Sequence, residues 1–120
     1  MHLGKASGLL ALVALAAATG CGSAAVPVGQ VTETQASIRA AHELGAERTP
    51  LAAMHLKMVR DQVQAARAYM ADGDNAEAWY LLKRAESDAD LAIALTREAE
   101  MKRKAAQSRH RIEELGERAQ

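Results

Sequence analysis

The chain has 120 residues, enough for one domain, and its 15 basic and 15 acidic side chains cancel at neutral pH. This balance excludes the strong general attraction to nucleic acid or acidic lipid that a basic protein would have. Apolar residues make up 49% of the chain but aromatic residues only 2%, so alanine supplies most of the apolar share. Because alanine favours helix and buries little surface, the composition predicts thin packing of helix on helix.

The chain opens with the pattern of an export signal. Lys5 gives one firm positive charge, and an apolar run of about ten residues follows at positions 9–18. At 1.5 Å per residue this run is too short for a hydrocarbon core of ~30 Å, so a transmembrane anchor is the poorer interpretation. We therefore predict a cleaved signal peptide over residues 1–20. Its removal takes Lys5 away and leaves the acidic residues in excess by one.

The residues after the leader, Ala18-Thr19-Gly20-Cys21, resemble the bacterial lipobox, although Ala18 stands where leucine is usual. The resemblance implies cleavage between Gly20 and Cys21, lipidation of the Cys21 thiol with palmitate-type chains, and attachment to a membrane. The alternative is an ordinary secretory signal cleaved nearby. That alternative would leave a free thiol, because Cys21 is the only cysteine and has no disulfide partner.

The residue after the cysteine is Gly22 rather than aspartate, which by the same resemblance favours the outer membrane, with the protein facing the periplasm. We predict that residues 21–31 form the lipidated cysteine and a flexible tether. Gly22, Pro27 and Gly29 discourage regular structure in this segment.

A first helix is predicted over residues 33–44. Thr32 is suited to be its N-cap, and Gln35 three residues later completes the pattern of a capping box. Gly45 is a favourable residue for ending the helix.

Two longer helices follow. The second is predicted over residues 50–71, with Thr49 as N-cap and a proline in the first helical position. The sequence Asp72-Gly73-Asp74 predicts the turn that ends it. The third helix is predicted to start after Asn75 as N-cap and to run for about 40 residues, since no glycine or proline appears before Gly116.

The apolar spacing of the two longer helices predicts that they pack side by side as an antiparallel hairpin. Apolar residues recur in steps of four and three, which is a heptad-like seam. The seam of the second helix is Ala52, Leu56, Val59, Val63, Ala66 and Met70, and that of the third is Ala78, Leu82, Ala85, Ala89, Ala92, Thr96 and Ala99. Leu81, Leu91 and Leu95 are expected to widen the buried face. The predicted fold is all-α, a three-helix arrangement with a long C-terminal helix, and its domain covers residues 32–99.

Residues 100–120 are predicted to form a charged helical extension. The seam becomes polar after Ala99, while pairs at i, i+4 still support helix: Glu98–Lys102, Glu100–Lys104 and Arg109–Glu113. We interpret the extension as a solvated helix. The alternative is a coiled-coil seam for another chain.

The stretch from Ala36 to about Ala99 resembles the DUF4398 family of bacterial envelope proteins. The resemblance rests on Gly45-Ala46, then Pro50-Leu51, then Gly73-Asp74 and Asp88-Ala89, in that order. It implies an envelope lipoprotein, and only by analogy with larger members does it suggest an association with peptidoglycan. The same stretch is similar to one tetratricopeptide-like helix pair, but a solenoid needs about three such units.

Soft metal ligands occur on the second helix, where Met54, His55 and Met58 share one side, and His42 could join them. Such groups would suit copper in the periplasm. The alternative interpretation is that Met58 packs in the core and His55 lies at the edge of the hairpin. We therefore keep a metal-binding module only as a second hypothesis.

No nucleophile–base pair, phosphate loop or zinc spacing is found in the sequence. Asp88 and Asp90 lie two residues apart on a helix and point to different faces, so they are not expected to act as a catalytic pair. We expect no enzyme activity, no cofactor and no nucleic-acid partner. The leading hypothesis is a membrane-anchored envelope lipoprotein with a structural or protein-interaction role, through a protein partner or a homo-oligomer formed by the helix seams.

Overall fold

The computed structural model describes residues 24–120, and the fold in this range consists of three α-helices and one short 3₁₀ turn. The α-helices are α1 (Val28–Glu43), α2 (Pro50–Ala71) and α3 (Asn75–Arg118). The predicted signal peptide and Cys21 lie outside the described residues. The all-α class, the three helices and the long C-terminal helix are confirmed.

Helices α2 and α3 form the predicted antiparallel hairpin, and α1 packs mainly against α3. Every seam residue of α2 from Ala52 to Ala66 is buried, while Met70 is partly buried at the end of the seam. The α3 seam is buried from Ala78 to Thr96. The heptad spacing therefore identified the face along which the two helices meet.

Alanine supplies most of the core, and two leucines supply its bulk. The largest fully buried side chains are Leu56, Leu82, Val59 and Thr34. Leu82 lies in a cluster near the α2–α3 turn, and Leu56 lies in a second cluster near the α1–α2 connection. Ile38 of α1 packs against both clusters and so links them. The prediction for Leu91 was wrong, because 42% of this side chain is exposed.

Helix α1 begins five residues before the predicted start, so the end of the predicted tether is helical. Pro27 occupies the N-cap position, and the Val31 amide donates to its carbonyl at 3.2 Å. Val31 packs against the core, which favours helix there in spite of Gly29. Thr32 is therefore not a cap: its hydroxyl donates to the Val28 carbonyl one turn earlier at 3.1 Å.

The two turns between the helices are formed at the predicted glycines, but the cap of α3 differs from the prediction. Gly45 and Gly73, each just after a helix, have φ of 83° and 81°. Asp74 rather than Asn75 caps α3, and its carboxylate accepts from the Glu77 amide at 3.4 Å. Thr49 lies at the N-cap of α2 without a capping hydrogen bond from its side chain.

We expect Gly45→Ala and Gly73→Ala each to lower the free energy of unfolding by about 1–2 kcal/mol, because a left-handed backbone brings Cβ close to the following carbonyl. At Gly73 an added Cβ meets nothing within 4 Å, whereas at Gly45 it would meet the guanidinium of Arg48. Urea unfolding followed by circular dichroism measures both losses. Gly116→Ala, in the exposed end of α3, is the control, and an equal loss there would contradict this account of the turns.

Candidate functional site

The amino-terminal end of the described chain lies against the α2–α3 turn. Asn75, the first residue of α3, donates from Nδ2 to the Ala24 carbonyl at 2.9 Å. Ala24 is three residues after Cys21 in the sequence. Three residues of extended chain span at most about 10 Å.

An exposed apolar patch surrounds this point. A shallow groove of about 480 Å³ is lined by exposed Val26, Trp79 and Tyr80 and by the buried Pro27, and we call these four residues the end patch. The exposed fractions are 54% for Val26, 40% for Trp79 and 65% for Tyr80. Trp79 and Tyr80 meet edge to face with ring centroids 5.3 Å apart. Two of the three aromatic residues of the chain thus lie at one end of the bundle, partly in solvent.

The other end of the bundle continues as the extension of α3. Thr96 is the last buried residue of α3, and every residue from Met101 onward is exposed. The 44 residues of α3 measure roughly 66 Å at 1.5 Å per residue. Because α3 starts beside Ala24, its far end lies at the opposite end of the molecule from the end patch.

The extension is helical, as its charges predict, and its side chains are exposed from Met101 onward. The pairs Glu98–Lys102 and Glu100–Lys104 form, the latter at 2.8 Å between Oε1 and Nζ. Within residues 24–120 the expected Arg109–Glu113 pair is absent, and His110 instead approaches Glu114, with Nε2 and Oε1 3.8 Å apart. Each such pair between exposed groups contributes a few tenths of a kcal/mol.

The two histidines among the possible metal ligands contact different acidic residues. His42 faces Glu47, with Nε2 3.6 Å from Oε2, whereas His55 Nδ1 lies 3.0 Å from Asp88 Oδ1. Met54 is 48% exposed, and Met58 is partly buried. Over residues 24–120, no group of three His, Cys, Asp or Glu side chains could hold a metal ion.

Asp88 joins α2 to α3 through a polar cluster that the sequence did not reveal. It accepts from Gln62 Nε2 at 2.8 Å on one carboxylate oxygen and lies against His55 on the other. The His55 and Asp88 side chains are only 15% and 14% exposed. His55 and Gln62 lie two turns apart on α2 and therefore project from the same face. This spacing is the feature of the sequence that could have indicated a shared polar contact. Asp90 is exposed, which agrees with the prediction that the two aspartates point to different faces.

The surroundings of Asp88 favour its charged form. Burial acts to raise the pKa of this carboxyl, but hydrogen bonds from Gln62 and His55, with the charges of His55 and Arg84, outweigh it. The pKa of Asp88 therefore lies below the 3.8 of an ordinary aspartate. A depressed pKa means that the carboxylate stabilises the fold above pH 3.8 and that this stabilisation is lost as the pH falls through the lower value.

Asp88→Asn is therefore expected to lower the free energy of unfolding by about 1 kcal/mol at pH 7, since it weakens two charge-assisted hydrogen bonds. The difference from the wild type should shrink as the pH falls below 3.8. Urea unfolding at pH 7 and at pH 3 measures both effects. Asp90→Asn is the matched control on the exposed face and should change little; equal losses at the two positions would contradict a specific role for Asp88.

Along residues 24–120, no helix combines the length and apolar character needed to cross a bilayer.

The family described as "Domain of unknown function (DUF4398)" matches residues 29–108 of the 120-residue chain. No curated protein and no solved structure matches the chain. The family match covers the three-helix bundle and ends within the exposed extension of α3.

Proposed function

The chain belongs to the DUF4398 family, and from that premise we propose that it is a membrane-anchored lipoprotein of the bacterial envelope with a non-catalytic structural or protein-interaction role. A lipid on Cys21 anchors the protein to the outer membrane, on the side that faces the periplasm. The end patch is the observation that carries the proposal.

The position of the end patch supports this proposal because its amphipathic aromatic side chains lie near Ala24, three residues after Cys21 in the sequence. Trp79 and Tyr80 have apolar rings with polar tips, and such residues concentrate where hydrocarbon meets water. Together with Val26, two residues after Ala24, they remain partly exposed in the folded chain. Asn75, which donates to the Ala24 carbonyl, lies one turn before Trp79 on α3. An acyl chain on Cys21 would bring this patch to the membrane surface.

The opposite placement of the α3 extension supports an interaction role. With the end patch on the membrane, α3 would point away from the bilayer and carry its last turns up to about 66 Å from it. The core seams of α2 and α3 are occupied by each other, so a partner or a second copy would have to use other surfaces. The extension offers such a surface, because every residue from Met101 onward is exposed.

A non-catalytic role is supported by how the polar residues are used. His55, Gln62 and Asp88, the most buried polar cluster between helices, bond to one another across α2 and α3. Their geometry serves to fix the two helices relative to each other. The same contact occupies one ring nitrogen of His55, and no observation favours the alternative of a metal-binding module.

Trp79 provides a direct test because it is the only tryptophan of the chain. The acylated protein is reconstituted into phosphatidylcholine vesicles in which some lipids carry bromine near the headgroup, a quencher of tryptophan. We expect the emission of Trp79 to shift to the blue and to be quenched. Unchanged emission, with no quenching, would contradict the proposed orientation.

The control is a variant that moves the tryptophan to the far end of α3, Trp79→Phe with Gln107→Trp. Gln107 is exposed in the extension and far from the end patch. Its tryptophan should emit as in water and escape the brominated lipids. Equal quenching of both proteins would mean that the molecule lies flat on the membrane rather than standing on the end patch.

A further inference from the structure

The exposed extension of α3 carries a second apolar seam that the core does not use. We call it the tail stripe, and its members are Met101, Ala105, Ser108, Ile112 and Leu115. Steps of four, three, four and three place them on one narrow face, at the a and d positions of a heptad repeat. The exposed fractions are 65% for Met101, 69% for Ile112 and 58% for Leu115.

The tail stripe lies on nearly the opposite side of α3 from the core. The core seam reaches Thr96 and continues by the same steps to Ala99 and Arg103, whereas the tail stripe starts at Met101, two residues from each. Two residues correspond to about 200° around a helix. For this reason the extension looks polar when it is followed along the core seam, and apolar when it is followed along the other face.

Positive charge borders the tail stripe on both sides. The flanking e and g positions hold Lys102 and Arg109 on one side and Lys104, Arg111 and Arg118 on the other. From Met101 onward the acidic residues are Glu113, Glu114 and Glu117, and all three lie on the opposite face. Lys102 and Lys104 pair with glutamates one turn earlier, but within residues 24–120 Arg109 and Arg111 form no ion pair.

This charge pattern disfavours pairing of the tail stripe with a second copy of itself. In a parallel coiled coil the g residues of one helix face the e residues of the other, and in an antiparallel one each set faces its own kind. Either arrangement would bring Arg109 or Arg111 against another cation. Like charges at these positions are used in coiled coils to exclude a partner.

The width of the tail stripe also indicates whether a helix or a lipid surface would bind there. A helix that lies in a membrane interface presents a broad apolar face, often with aromatic residues. The tail stripe is only two positions wide in each heptad, contains no aromatic residue, and includes Ala105 and Ser108, which allow close approach. A narrow a/d seam is the form that receives another helix.

We propose that the tail stripe docks a helix of a partner protein whose seam is apolar and whose flanking e and g positions are acidic. The proposal rests on the protein-interaction role given above, but it does not depend on the lipid. Apolar residues of the two seams interdigitate, while partner carboxylates face Arg109 and Arg111. Residues 109–120 lie beyond the family match, so two of the five members of the tail stripe, Ile112 and Leu115, fall outside it.

The test uses the full mature protein in detergent and a synthetic helical peptide of three heptads with leucine at a and d and glutamate at e and g. Binding is followed by the fluorescence anisotropy of the labelled peptide. We expect Ile112→Ser with Leu115→Ser to raise Kd at least tenfold, and Arg111→Glu to raise it about fivefold, since facing charges then repel. A peptide with lysine in place of glutamate should not bind.

Arg103→Glu is the matched control, because it makes the same change of charge on the opposite face of the same helix. Its Kd should stay within about twofold of the wild type, since distant exposed charges are screened at physiological salt. An equal loss at Arg103 and Arg111, or equal binding of the lysine peptide, would overturn the proposal. So would binding to phosphatidylglycerol vesicles without binding to the peptide, or a dimer that dissociates in the Ile112→Ser, Leu115→Ser variant.

Acylation and membrane retention are measured separately on the same variants. Ile112→Ser with Leu115→Ser should remain acylated and in the membrane fraction while it loses the peptide. Failure of the docking proposal would leave membrane retention unchanged, and failure of the anchor would leave peptide binding unchanged. The two proposals therefore fail in different measurements.

Discussion

Leu82→Ala is expected to lower the free energy of unfolding by about 2–5 kcal/mol, as for other buried leucines that leave a cavity. Leu82 is fully buried, and its neighbours in the core are mostly alanines and valines that offer little volume to close the gap. Small domains have a total stability of about 5–15 kcal/mol, so this single change would remove a large share of it. The expected loss in Tm is about 10–30 °C.

Leu56→Ala should have an effect of the same size, and thermal and urea unfolding followed by circular dichroism measure both. Leu56 and Leu82 belong to different core clusters, so the losses should add in the double variant if that variant still folds. Leu91→Ala is the matched control, since Leu91 lies on the same helix as Leu82 but is 42% exposed. A loss at Leu91 as large as that at Leu82 would contradict the assignment of the core face.

Cys21→Ala is expected to move the protein almost completely from the membrane fraction to the soluble fraction. Each buried CH₂ of an acyl chain contributes ~0.8 kcal/mol to membrane binding, and two or more chains give a stable anchor. The end patch alone offers four residues, two of them large aromatics, so it should not retain the protein without the lipid. Cell fractionation with detection of the protein in each fraction measures the change.

Ser23→Ala is the control for this substitution, because it changes a neighbouring small residue and keeps the cysteine. It should stay with the membrane. Globomycin, which blocks the peptidase that cleaves lipoprotein leaders, should cause the uncleaved precursor to accumulate in the wild type. Retention of Cys21→Ala in the membrane would show that something other than the lipid holds the protein there.

The fold could be predicted from the sequence where one periodic signal dominated. The α2 and α3 seams follow heptad steps from Ala52 and Ala78, and the burial of these residues agrees with the pattern. Gly45 and Gly73 have a left-handed backbone that few other residues adopt easily, and Pro50 fixes φ at the first position of α2. Such local constraints act within a few residues and can be recognised without the tertiary structure.

The structure differs from the predictions made from the sequence where tertiary contacts outweigh local conformational preference. Helix α1 starts at Val28 because Val31 packs against the core, which no local rule for Gly29 or Thr32 could indicate. The link from Asp88 to His55 spans 33 residues, and its partners meet only once the hairpin has closed. The tail stripe was missed for another reason: the periodic signal was there, but in a register different from that of the core.

The most direct test of the proposed anchor is the mass of the amino-terminal peptide of the mature protein, purified from membranes and digested with a protease. We expect a peptide that begins at Cys21 and carries the added mass of a diacylglyceryl group, with or without a third acyl chain. A mature chain that begins at another residue, or a Cys21 with an unmodified thiol, would contradict the central claim that this protein is a lipoprotein.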